Sequence, residues 1–271
     1  MTSWRLGSPC GERPSYSGVR VAGPNITSTF GEKLKYSLIP GSLYIRYRAR
    51  KELRRGEAEI NLLSFLVDRA RNAIDAGANK GVYTYFIAKY ARHTYAYEPN
   101  PKMFAILQRN VGPGVSVSPI ALGDTTGQAV LRVPLLDKGH SNQGASLSAV
   151  KVPANFTPVT VETARIDDLG LTDIGFIKID VEGFEDAVLR GARQTIARDR
   201  PALLVEIEEK HTRRPIEDDI AAITDMGYDG MFLGAGGILH ALSAFDPVAN
   251  HRQPTRGYVY NFIFLPVVHR R

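Results

Sequence analysis

A chain of 271 residues is long enough to bury a sizeable core and fits one α/β domain with an extension. Its 44% hydrophobic and 23% charged residues exclude a low-complexity or fibrous protein, and no apolar run approaches the length of a membrane span. A net charge of +6 leaves an anionic partner open, whereas a lone cysteine, Cys10, excludes an internal disulfide.

Arg5, Glu12 and Arg13 interrupt the N-terminus, so it does not read as a secretory signal; the expected location is cytoplasmic, where the sequons at Asn25 and Asn155 carry no weight. Residues 1–40 are rich in Gly, Pro, Ser and Thr without a sustained period, which predicts an irregular leader. We place an N-terminal extension at 1–45 and the main domain at 46–271. Arg46, Arg48, Arg50, Lys51, Arg54 and Arg55, interleaved with Tyr44 and Tyr47, form a basic cluster at that boundary. A solvated helix face is the plain reading; an anionic chain or a peripheral membrane contact is the functional one, and no recognisable nucleic-acid motif accompanies the cluster.

From Leu43 to Val67 the pattern is helical, with Ile60, Leu63 and Phe65-Leu66 on a face suited to cover a sheet. Strands are predicted at 71–76, 94–97 and 115–120, separated by helices at 82–90 and from Asn100-Pro101 to Asn110, where a cap residue precedes a first-turn proline. Residues 130–133 and 159–163 alternate like an antiparallel excursion around the Gly/Ser/Asn-rich loop 139–148, which is either a substrate lid or a surface connection. Strand 176–180, a helix from 184 to a stop at Gly191, strand 201–207, helix 216–226 and strands 228–233 and 258–265 complete the chain. Alternating strands and helices imply an α/β fold with a parallel sheet between helix layers, and the last two strands suggest an antiparallel edge.

The stretch from Ala73 to Glu98 organises the rest. An apolar run ends in Asp75, a loop carries Gly77, Asn79 and Gly81, and the next strand ends in Glu98. Glycines at a strand end admit close approach to the backbone, and an acid closing the next parallel strand suits the two hydroxyls of a ribose. A dinucleotide fingerprint starting at Gly77 fails at Asn79 and Val82, which weakens the pyrophosphate reading. Asp75 suits a ligand with a positive end better than a phosphate, and S-adenosylmethionine fits both ends. Ala121-Leu122, after the third strand, would flank an adenine.

The pieces Ile74-Asp75-Ala76-Gly77-Ala78-Asn79-Lys80-Gly81, Tyr97-Glu98-Pro99, Ile177 to Glu185 and Glu206-Ile207-Glu208 resemble, in that order and spacing, the FkbM family of S-adenosylmethionine-dependent methyltransferases. The resemblance covers roughly 57–265. It implies a doubly wound, mostly parallel seven-stranded, Rossmann-like sheet and O-methylation of a sugar, glycoconjugate or polyketide-type hydroxyl. Carried over by position, Asp75, Gly77, Asn79 and Gly81 would line the methionine half of the cofactor, Glu98 would hold the ribose, and Asp180 would face the transferred methyl. Asp180, Glu206, Glu208 and His211 are the candidates for proton removal from the acceptor. Asp180 with the glutamates also offers hard oxygen ligands for a divalent cation, although acids at strand ends are more often solvated or paired with arginines such as Arg213 and Arg214. The alternatives are an RNA methyltransferase using residues 46–55 and a nucleoside-binding module without catalysis.

Overall fold

The computed structural model describes residues 30–136, 139–140, 144–148, 155–253 and 257–267. Cys10, Asn25 and the side chain of His140 lie outside the described residues. Helices α1 (Phe30–Leu38) and α2 (Gly41–Arg55) lead through a 3-10 turn at Ala58–Leu62 to α3 (Leu63–Leu66) and β1 (Asn72–Ala76). Then come α4 (Val82–Ile87), β2 (His93–Tyr97), α5 (Pro101–Asn110) and β3 (Val115–Ser118). An excursion follows: β4 (Ala121–Leu122), β5 (Gly127–Leu136), β6 (Gly139–His140) and β7 (Phe156–Ala164). The chain returns with β8 (Ile174–Ile179), α6 (Glu185–Gly191), α7 (Arg193–Asp199), β9 (Ala202–Glu206), α8 (Glu209–Thr212) and α9 (Ile216–Thr224). It ends with β10 (Tyr228–Leu233), β11 (Leu239–Ala241) and β12 (Asn261–Pro266).

The main sheet runs β3-β2-β1-β8-β9-β12-β10-β11. Strands β3, β2, β1, β8 and β9 pair in parallel, and β12 is antiparallel to both β9 and β10. The fold is the expected doubly wound α/β sheet, with β11 added as a short eighth strand. The expected antiparallel edge forms, with β12 inserted between β9 and β10, two places in from the edge strand β11. Successive residues alternate between two apolar layers, as strand geometry requires. Ile74, Ile177, Leu203, Phe262 and Phe264 pack with Val188, Ile196 and Ile223 of the later helices. Ala73, Phe176, Leu204 and Ile263 pack with Ile60, Leu63, Phe86 and Ile87 on the other face. Phe176, Phe262 and Phe264 are fully buried, each contributing about 1.5–3 kcal/mol of transfer free energy.

Several expectations change. Residues 30–38 are helical, not irregular, and α2 runs across residue 46, where we expected the domain to begin. Gly56, with an extended backbone, ends α2, so the expected helical stretch to Val67 breaks in two. Ile60 and Leu63 cover the sheet as expected, but Phe65 is 86% exposed. Gly191 belongs to α6 instead of stopping it; a Cβ there would overlap the carbonyl oxygen of Gly123, so its role is close packing of α6 on the loop after β4. The antiparallel excursion forms as read, β5 pairing with β7 from Gly127↔Thr163 to Pro134↔Phe156.

Candidate functional site

Strand order reverses between β1 and β8, whose following helices leave toward opposite sides and open a crevice at the strand ends. A cleft of about 490 Å³ lies there, lined by residues that follow β1, β2, β4, β8 and β9. At one end the loop after β1 crosses the end of β8. Gly77 has φ +81°, and a Cβ on it would overlap the Asp180 carbonyl oxygen, so glycine is needed for the chain to pass its own backbone. The N–H groups of Gly77 and Ala78 donate to the Tyr97 carbonyl at 3.0 and 2.9 Å, tying the loop to β2.

That tie delivers Asn79 to Glu98. The Asn79 N–H donates to Glu98 Oε2 at 2.7 Å and the Asn100 N–H to Oε1 at 2.8 Å. Asn100 in turn caps α5, its side chain accepting from the Lys102 N–H at 3.1 Å ahead of Pro101. Burial pushes the Glu98 carboxyl up to about 7, against the pull of these two backbone donors. Each oxygen retains acceptor capacity. Tyr97, Met103, Ile120, Ala121, Leu122 and Phe184 supply the apolar walls around it.

The other end is acidic. Lys178, opposite Asp75 in the β1–β8 register, is buried beneath it and donates to Asp180 Oδ2 at 2.9 Å. Burial alone would lower the Lys178 ammonium, but Asp180, Asp75 and Glu57 around it raise it overall, so it is a fixed cation. Glu206, closing β9, shares a hydrogen bond with Asp180; burial first and the Asp180 charge second raise it far enough that it holds a proton at neutral pH. Glu208 is buried and contacts Lys210. His211, 8% exposed, completes the cluster: Nε2 lies 3.7 Å from Glu208 Oε2 and 3.9 Å from Glu182 Oε2, and Nδ1 lies 4.0 Å from Glu206 Oε1.

Glu182 also ties down a cover. Its carboxylate accepts from the Gly144 N–H at 3.1 Å, and its carbonyl accepts from Ser146 Oγ at 2.6 Å. Ser146 exchanges backbone hydrogen bonds with Arg132 of β5, so the segment 144–148 is stitched across the cleft and Gly144, Ala145 and Leu147 line it. The described part of that loop, 144–148, belongs to the cleft wall.

Gly77, Asn79, Glu98, Ala121, Leu122, Asp180, Glu206, Glu208 and His211 therefore meet in one cleft. Asp75 and Gly81 do not line it. Asp75 is fully buried, shares the sheet face of Ala73, and accepts from Thr84 Oγ1 of α4 at 2.6 Å; it does not offer a charge to a ligand directly. Gly81, with φ +87°, starts α4, and a Cβ there would lie 2.7 Å from Leu107 Cδ1, so it serves helix packing. Arg214 pairs with Asp186 and Asp219 rather than with the cleft acids. Tyr36 and Tyr44 pack edge to face at 5.5 Å, Tyr47 is exposed, and no described residue of 234–256 lines the cleft. Sequence reasoning missed Glu57, Tyr97, Met103, Phe184, Lys210 and Tyr260 as lining residues; the signal for Phe184 lay in its place directly after the Asp180 turn.

Glu182, Glu206 and His211 bring ligand atoms within 4.8 Å of one another, a donor set suited to a divalent cation. Holding one there would require displacing the Glu206 proton, and Asp180 already has Lys178 as its counter-charge.

A model of the methyltransferase FkbM domain matches residues 75–229, more than half of the chain and all of the cleft-lining residues except Glu57 and Tyr260. The chain is 26% identical over 145 residues to the 2-O-methyltransferase NoeI of Sinorhizobium fredii, and 31% identical over 141 residues to Methyltransferase 1 of Beauveria bassiana. These matches cover 47% and 44% of the chain and 59% and 57% of the relatives, less than two thirds of either relative's length. The crystal structure of an FkbM methyltransferase from Methylobacillus flagellatus superposes with a TM-score of 0.48 at 18% identity, over 83% of this chain and 55% of that one. Among the described residues no helix is long and apolar enough to cross a membrane. On the match to the family's domain, the chain belongs to the FkbM methyltransferase family.

Proposed function

We propose that the protein is an S-adenosylmethionine-dependent O-methyltransferase acting on a hydroxyl of a sugar, a glycoconjugate or a polyketide-type natural product. The observation that carries this reading is the continuity of one cleft from Glu98 to the Asp180–Glu206–His211 cluster. The donor set fits the cofactor: Glu98 keeps acceptor capacity for a vicinal diol beside apolar walls, while Gly77 and Asn79 lead from it to the carboxylates around Asp180. When bound, S-adenosylmethionine supplies an activated methyl group on a cationic sulfur.

The chain's own residues do the rest. Glu98, Asn79 and Ala121-Leu122 hold the nucleoside, and Asp180, fixed by Lys178, presents negative charge at the reacting end. Glu206 shares a hydrogen bond with Asp180, and burial and the Asp180 charge raise it, so this pair holds a proton between its two carboxyls. Glu208 is engaged by Lys210. His211 is left as the group that takes the acceptor's proton, with Glu182 and Glu208 placed to stabilise the imidazolium. Oxygen as the accepting atom is supported by the name of the NoeI relative, and the cover at 144–148 by the need to keep water out.

Glu98 gives this reading a pH signature. Only its ionised form accepts from both ribose hydroxyls, so cofactor affinity should rise with pH up to about 7 and level off above it, falling by up to about tenfold per unit below. The apoprotein should show the opposite trend from this group: its raised folded value means the stability it contributes is full below the ordinary carboxylate value and is lost as pH rises through about 7. In Glu98→Gln both dependences should flatten; an unchanged pH profile would remove Glu98 from the cofactor site. The acceptor class is tested by incubating the protein with methyl-labelled S-adenosylmethionine and fractionated cell extract. Label in the carbohydrate or small-molecule fraction supports the proposal, and label confined to RNA or protein overturns it.

A further inference from the structure

Helix α2 buries one side and leaves the other without a partner. Tyr44, Ile45 and Ala49 face inward, Tyr44 against Met103 and Ile106 of α5. On the outer side Leu43, Arg46, Tyr47, Arg50, Leu53 and Arg54 recur at spacings of three and four, which brings them onto one face. Leu43, Tyr47 and Leu53 are 57%, 66% and 46% exposed. The helix holds six cationic side chains against one carboxylate, Glu52. Among the described residues none of Arg46, Arg50, Lys51, Arg54 and Arg55 has an ion-pair partner.

The surface continues into the preceding helix, where Leu34 and Leu38 are exposed, and through Ile39 between the two helices. Single exposed apolar groups are ordinary, but a run of them interleaved with arginines along α2, with further exposed leucines in α1, matches an interfacial face, in which arginine stems lie along apolar surface and their heads reach outward. Beside α2 a cleft of about 240 Å³ opens, with Ile45, Val111 and Val115 among its apolar walls and Arg46 and Lys89 among its cations.

We propose that the outer face of α1 and α2 docks the protein on an anionic lipid bilayer, the leucines and Tyr47 entering the acyl boundary and the arginines pairing with headgroup phosphates. Charge complementarity selects an anionic over a neutral bilayer. RNA would satisfy the cations but would leave Leu34, Leu38, Ile39, Leu43 and Leu53 in water. Docking holds the catalytic domain at the surface because Gly56 alone separates α2 from Glu57, which lines the cleft. The proposal does not depend on the assigned chemistry.

The test is co-sedimentation of the full chain with vesicles of phosphatidylcholine, with and without an equal amount of phosphatidylglycerol. Binding to the anionic vesicles alone is expected, weakening at about 1 M salt, where charges are screened beyond about 3 Å. Each cation removed should lower partitioning about fivefold, so Arg50→Gln with Arg54→Gln should cost about 25-fold. Leu43→Ser with Leu53→Ser should weaken binding at unchanged charge, and circular dichroism should show all variants folded. No binding of the unaltered protein to anionic vesicles, or equal binding by the variants, would overturn the proposal. So would a dimer that Leu43→Ser dissociates, which gives the face to a second copy, or RNA binding that responds to the arginines while vesicles do not bind.

Discussion

Replacing His211 by alanine should lower kcat by about 10² to 10⁴, the usual range for loss of a positioned general base, while leaving cofactor affinity nearly unchanged. The separation follows from the cleft's two ends. His211 enters on α8, just after Glu208, and reaches Glu182, Glu206 and Glu208 at 3.7 to 4.0 Å, whereas Glu98 is held by Asn79 and Asn100 at the other end. A group with only a structural role would change the folding midpoint with the rate. A base should instead remove the rising limb of the pH–rate profile, and His211→Ala should show a flattened acid side with the cofactor dissociation constant preserved. An unaltered profile with a rate near that of the unmodified protein would exclude His211 as the base.

Lys178→Met should destabilise the fold by about 3–5 kcal/mol, the loss expected when one partner of a buried charge cluster is removed. The ammonium is 4% exposed, donates to Asp180 and lies 4.5 Å from the Tyr83 ring centroid, with Asp75, fully buried, on the same side of the sheet. Without it Asp75, buried beneath the cleft, and Asp180, in the cleft wall, lose the cation they share. The sign with pH follows: the stranded carboxylates should take up protons, so the variant's deficit should shrink as pH falls. Asp75→Asn in the same chain should recover part of the loss. Denaturant midpoints measure both effects, and a Lys178→Met deficit within about 1 kcal/mol, the scale of an exposed pair, would show that the cluster is solvated.

The strand-end chemistry was legible because it is local. Strands β1, β2, β8 and β9 each run into a glycine or an acid at their carboxyl end, and in a parallel sheet such ends share one edge, which is how Gly77, Glu98, Asp180 and Glu206 come together. The neighbours of Asp75 along the chain do not say which face it takes. Strand parity places it with Ala73 and, across the register, with Lys178, toward α4. Gly77 lines the cleft and is also required where its loop passes the Asp180 backbone, whereas Gly81, at the same kind of spacing, meets Leu107. The insertion of β12 between β9 and β10, and the stitching of 144–148 to Glu182, join residues far apart in sequence and leave no local trace. Helix α1 was hidden by the Gly/Pro/Ser-rich composition that precedes it, although Leu34 and Leu38 are spaced one turn apart.

Calorimetric titration of S-adenosylmethionine into the unmodified protein and into Glu98→Ala at about pH 8, where the carboxylate is ionised, decides whether the cleft at the β1–β8 crossover binds the cofactor through Glu98. Saturable one-site binding by the unmodified chain is expected, with about 10- to 150-fold weaker binding by the variant, the value of charge-assisted hydrogen bonds of about 1.5–3 kcal/mol. Equal affinity in the two proteins, or binding of NAD with none of S-adenosylmethionine, would contradict it.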